Sequence, residues 1–176
     1  STYDSDSYCL GSNPSSAAMP GMTSDRIDLM LKSAVKLANF TVFDQAVQIE
    51  EFSGMGTTLV AALVRENRAT VVNVGDSRVY GIDREGIRLI TKDHSFVQMM
   101  VDRGDLTPEE AKTYPGKNLI TRAIGTEPMV MCDIYHREVS KGDYLLLCSD
   151  GLSNVMDDQE ILFEVAHGVN KQHCCQ

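Results

Sequence analysis

Apolar residues recur at steps of three and four through Ile27, Met30, Leu31, Ala34, Val35, Ala38 and Val42. That single stripe predicts an amphipathic helix over about residues 25–47, with Ser24 as its cap and Asp25 in its first turn. The texture then changes after "FSGMG". "TTLVAALV" and "RATVVNVG" are β-branched runs split by the polar "REN", which reads as a hairpin. "RVYGID", "REG" and "IRLIT" read as a second hairpin. In "HSFVQMMVDRG" the spacing turns helical again and should stop at Gly104. Thr107, Pro108 and Glu110 form the start signal of another short helix. Residues 130–139 and 143–149 read as strands joined by the turn "SKGD", and Asp157 or Asp158 should open a last helix, "QEILFEVAHG".

These elements predict an α+β fold, a meander of antiparallel strands flanked by helices. "TVVNV" and "YLLLC" are apolar on both faces, so the sheet should be covered on each side, by helices or by a second sheet. Residues 1–22, rich in Ser, Gly, Asp and Pro, carry no sustained period and read as a linker or disordered leader. Residues 23–176 then form a single domain, and the 176-residue chain is long enough to bury a core.

Charge narrows the partners. Asp and Glu number 25 against 16 Lys and Arg, a net charge of -9. Nucleic acid and anionic membranes both select for excess Lys and Arg, so neither is an expected partner. The five cysteines (Cys9, Cys132, Cys148, Cys174 and Cys175) are odd in number and show no C-x-x-C spacing. With no apolar stretch long enough to span a bilayer, a reducing cytoplasm is the expected compartment.

Two buried runs end in the same unusual way. "TVVNVGDSR" delivers Asp76 and "YLLLCSDG" delivers Asp150 at the mouth of the sheet. A carboxylate there is costly unless something positive meets it, and a hard divalent cation such as Mg²⁺ or Mn²⁺ is one solution. Gly151 would let the backbone turn sharply beside it. Asp followed by Gly or Ser is also common turn chemistry, and spacing alone favours the turn. Arg78 should pair with an acid at the surface. His94, His136, His167 and His173 show no ligand spacing and read as surface or core residues. Ser149 and Ser153 lack a G-x-S-x-G setting, and "SGMGTT" lacks the lysine of a phosphate loop, so its glycines should serve close packing. "FVQMMV" reads as core.

In order, "GMGTTLVAALV", "VVNVGDSRVY", "LITKDHSFVQMMVDRGDLTPEEA", "KNLITRAIGT" and "GDYLLLCSDGLSNVMDDQEI" resemble the metal-dependent serine/threonine protein phosphatases of the 2C type, most closely the bacterial branch. The resemblance runs from about Thr23 to Val165. It implies a β-sandwich of two antiparallel sheets with helices outside. It also implies Mn²⁺ or Mg²⁺ held at one end of the sandwich, and a metal-activated water that attacks phosphoserine or phosphothreonine. By the same resemblance, Asp150 matches a ligand of the main metal pair that also touches a third ion, and Asp76 matches the other ligand of that third ion. Residues 93–126 match the flap beside the active site, with Tyr114 where a His often precedes the Pro. Phosphorylated proteins, substrates of a serine/threonine kinase, are the implied partners.

Other family features are not found in this sequence. They are an early Arg and acidic strand pair, a D-G-x-G-G stretch whose aspartate bridges both metals, and a late D-N-x-T strand. Three readings follow, of which the family's own phosphatase activity is the one expected and the impaired module its alternative. One is a phosphatase, one a catalytically impaired phosphatase-like binding module, and one a partial copy whose remaining strands lie outside this sequence. In each, open sheet edges would allow self-association.

Overall fold

The computed structural model describes residues 8–11 and 23–168. Its elements are β1 (Tyr8–Gly11), α1 (Ser24–Gln48), β2 (Leu59–Arg65), β3 (Arg68–Val74), β4 (Arg78–Asp83), β5 (Gly86–Leu89), α2 (Phe96–Arg103), α3 (Pro108–Thr113), β6 (Asp133–Glu138), β7 (Tyr144–Cys148), α4 (Asp150–Ser153) and α5 (Asp158–His167). The fold is α+β, with two antiparallel sheets of order β1-β7-β4-β5 and β2-β3-β6.

Strand alternation explains the layering. On β3, Val72 and Val74 pack with Val35 of α1. The intervening Ala69 and Val71 pack with Val79 and Leu145 of the other sheet. Tyr80, Ile82, Leu146 and Cys148 point from that second sheet onto Ile161 and Val165 of α5. Period-two strands buried on both faces thus build four layers: α1, sheet, sheet, α5.

Local signals account for most element boundaries. α3 begins with a full capping box, in which Thr107 accepts from the Glu110 N–H and the Glu110 side chain accepts from the Thr107 N–H. Asp157 and Glu160 do the same for α5. α2 stops at Gly104, which sits at φ 79°.

Three expectations need correction. The strands are not a simple meander: β6 pairs with β3, whereas its sequence neighbour β7 pairs with β4 and β1. The "SKGD" turn joins them by crossing from one sheet to the other. Within residues 1–22, expected to be a linker, Tyr8–Gly11 form the strand β1 against β7; the rest of that segment lies outside the described residues. The methionines of α2 are half-buried, so the helix lies over the domain and contributes no fully buried residue.

A buried polar clamp ties α1 to the sheets. Asn39 is 1% exposed, accepts from the Gly125 N–H at 2.8 Å, and donates to the Glu127 carbonyl at 3.0 Å. Gly125 has φ 86°, and a side chain there would run into Val42. The helix and the loop 123–127 therefore approach closely only with Asn at 39 and Gly at 125. Asn39→Ala strands the Gly125 N–H in the core and is expected to lower unfolding free energy by about 3 kcal/mol. A urea midpoint unchanged from the parent would contradict that.

Candidate metal centre

The register of the β4–β7 ladder sets the geometry. Arg78 pairs with Cys148 in an antiparallel alignment. Asp76 stands two residues before Arg78 and Asp150 two residues after Cys148, so both lie just beyond this end of the ladder. Both carboxylates are half-buried at this end of the sheet. Burial first, and then the Asp150 charge, pushes the Asp76 carboxyl above the ordinary carboxylate range.

Different devices hold the two sides. Asp76 follows Gly75, whose φ of 110° lets the chain leave β3 in one sheet and enter β4 in the other. Beside it, the Ser77 hydroxyl lies 2.7 Å from that of Thr58. Asp150 opens the short α4 directly after β7, and its Oδ2 accepts from Asn154 Nδ2 at 3.1 Å. Gly151, expected to supply a sharp turn, instead continues α4 and has no positive φ.

Arg78 does pair with an acid, but inside the protein. Its Nε and Nη2 reach the two oxygens of Asp93 at 3.0 and 2.7 Å, and Nη1 donates to the Tyr80 hydroxyl at 3.2 Å. Burial disfavours the Arg78 charge, yet the Asp93 bonds outweigh it and raise the pKa. This clamp keeps Arg78 engaged two residues from Asp76.

The histidines divide by environment. His94 is buried and hydrogen-bonded to Gly75 and Asp133. His136 bridges β6 to α1 through Asp28 at 3.2 Å. His167 stacks on Phe163 at the end of α5, and His173 lies outside the described residues. Cys148 behaves as a buried hydrophobe, its thiol pushed up to about 11 by burial. Of the two glycines expected to serve close packing, Gly56 does, since a side chain there would meet Thr126 at 2.7 Å and the Ile124 carbonyl at 3.1 Å, whereas Gly54 has nothing within 4 Å and sits at φ 76°.

Among the described residues, no group of three or more His, Cys, Asp and Glu side chains converges to hold a metal ion. Asp76 and Asp150 are a pair. Two hard oxygen donors of like charge fit one divalent cation with water completing most of its shell, but they fall short of a dinuclear site.

The model of the family described as Protein phosphatase 2C matches residues 13–173. This chain belongs to the protein phosphatase 2C family. Bacterial phosphatases are among its relatives. The serine/threonine phosphatase stp of Listeria monocytogenes is 36% identical over 140 residues, covering 80% of this chain and 56% of the relative. The structure of the phosphatase Stp1 from Staphylococcus aureus is similar at a TM-score of 0.81 and 39% identity, over 89% of this chain and 62% of that one. A third similar structure, the catalytic domain of the phosphatase PstP, contains two manganese ions. It matches at a TM-score of 0.72 and 36% identity, over 90% of this chain and 64% of that one. The chain thus spans about half the length of the curated stp phosphatase and less than two thirds of either solved relative.

Sequence reasoning singled out Asp76 and Asp150 as candidates and passed over Asp133 and Asn39. Asn39 left a signal, a polar residue four positions after Val35 on the buried stripe of α1. Asp133 left a fainter one, an acid at the first position of a strand.

Proposed function

We propose that this stretch of chain is a phosphatase 2C-like module carrying part of a metal site, and that taken alone it is catalytically impaired. The observation that supports this is that Asp76 and Asp150 lie just beyond the paired ends of β4 and β7, near enough for the Asp150 charge to act on Asp76, with no group of three or more ligand-type side chains among the described residues. A divalent Mn²⁺ or Mg²⁺ ion bound there would supply Lewis acidity toward a phosphoryl group. The chain's own contribution is to hold two carboxylates on rigid strand ends and to keep Arg78 committed to Asp93. Residues 93–126, which carry α2 and α3, would act as the flap beside the site. Phosphoserine and phosphothreonine proteins are the partners this reading implies, bound more readily than hydrolysed.

The test is Mn²⁺ calorimetry paired with release of phosphate from an aryl phosphate. Weak binding, on the order of millimolar as expected for few protein oxygens, with no turnover supports the impaired module. Turnover at micromolar Mn²⁺ that disappears in Asp150→Ala would instead establish a working phosphoserine/phosphothreonine phosphatase.

A further inference from the structure

The turn that presents Asp76 is held from behind by one side chain. Gly75 donates its N–H to His94 Nδ1 at 3.0 Å, and the Gly75 carbonyl accepts from the His94 N–H at 2.9 Å. Because Nδ1 accepts, the ring proton sits on Nε2, which donates to Asp133 Oδ2 at 3.1 Å. Arg122 Nη1 lies close to the same ring nitrogen but donates to Asp133 Oδ1 and to the Met131 carbonyl, each at 3.1 Å. Burial works against the Asp133 charge, but the His94 bond and Arg122 outweigh it, so the carboxyl is held below its ordinary range. The Thr121 N–H closes the arrangement on the His94 carbonyl at 2.8 Å.

Both peptide groups of Gly75 are therefore gripped by His94, and His94 is gripped by an ionised carboxylate rooted in β6. Gly75 has freedom that no other residue type has at φ 110°, so its conformation needs an external restraint. Asn73 adds only a long contact to the Gly75 carbonyl, at 3.4 Å. The peptide plane between Gly75 and Asp76 sets where the Asp76 side chain points.

We infer that His94 is a positioning residue for Asp76, aligning its carboxylate toward Asp150 through Gly75, with Asp133 and Arg122 holding the imidazole tautomer and angle. This rests on the metal-site reading above. Residues that orient a ligand in this way commonly change metal affinity ten- to a hundredfold when replaced.

Two variants separate positioning from mere packing. In His94→Asn, Oδ1 stands near the place of Nδ1 and can still accept from Gly75, while the Asp133 contact is lost. In His94→Gln, the amide reaches toward Asp133 and leaves Gly75 free. Backbone amide NMR of the metal-free protein is read at Gly75 and Asp76, followed by Mn²⁺ affinity from calorimetry. His94→Asn is expected to keep the parent shifts and an affinity within about threefold. His94→Gln, measured where urea curves show it fully folded, should move both amides and bind Mn²⁺ about tenfold more weakly. Parallel losses in the two variants, or parent-like shifts in His94→Gln, overturn the inference. If the parent itself binds no Mn²⁺, the metal-site reading fails, and the amide shifts alone then decide whether His94 orients Asp76.

Discussion

Gly75→Ala is expected to be the most damaging single methyl group that can be added near the site. An alanine at φ 110° carries backbone strain of about 1–3 kcal/mol, and its Cβ would overlap Thr58, lying 2.7 Å from Thr58 Cβ and closer still to Cγ2. Thr58 cannot rotate away freely, because its hydroxyl is bonded to Ser77, just before β4. Overpacking of this kind costs a further 1–3 kcal/mol or so, which gives a total of about 4 kcal/mol, a large part of a typical domain's stability. Gly104→Ala is the control. Gly104 also has a positive φ, 79°, but nothing lies within 4 Å of its added Cβ, so about 1 kcal/mol is expected. Urea unfolding of both variants checks the contrast. Thr58→Gly combined with Gly75→Ala should recover the packing part and leave the strain. Equal, small shifts in the two single variants would mean that the turn before Asp76 is not built as described.

The sequence carries unequal amounts of information about these features. α1 spans 24–48 where periodicity predicts 25–47, because a long stripe averages over many residues. Capping is legible where Thr107 and Asp157 act on backbone groups only two or three positions away, but Ser24, expected to cap α1, is its first helical residue, and the N-cap is Thr23 with no side-chain bond. Strand partnership is different. β6 and β7 follow one another through a tight turn, yet alternation of apolar residues says only that a strand has two faces, not which neighbour it will pair with. The two-sided burial of β3 did signal covered layers on both sides. At the site, an acid at the end of "YLLLC" and another after "TVVNV" stand out against apolar runs. Their placement beyond the same end of the β4–β7 ladder does not. It follows from the pairing of Arg78 with Cys148, a long-range fact. His94 was read as a surface or core residue and is buried, but spacing could not show that its ring grips Gly75, nineteen residues earlier in the chain.

Placing two carboxylates together has a consequence for stability whose sign can be worked out. The Asp76 pKa is raised in the folded protein above its ordinary 3.8, first by burial and then by Asp150. Folded protein therefore holds its proton to higher pH than unfolded chain does, and stability falls as pH rises through that window. Above the window the full penalty remains. Asp76→Asn removes the charge, so the metal-free variant is expected to melt at a higher temperature than the parent at pH 7. The advantage should vanish below pH 3.8, where Asp76 is protonated in both states. Only the difference between the two proteins is diagnostic, because Asp133 is shifted the other way and loses its contribution as pH falls. Under the proposed function, Mn²⁺ reverses the order. At a hundred times its dissociation constant it should stabilise the parent by about 2.7 kcal/mol, while the variant, with half of the pair gone, gains little. Thermal melts with and without Mn²⁺ should therefore cross. A metal-free variant less stable than the parent would remove the repulsion on which this rests, and an equal Mn²⁺ shift in both would place the ion elsewhere. If the curves cross, the folded state is giving up stability to keep Asp76 and Asp150 together, a cost that a bound cation offsets.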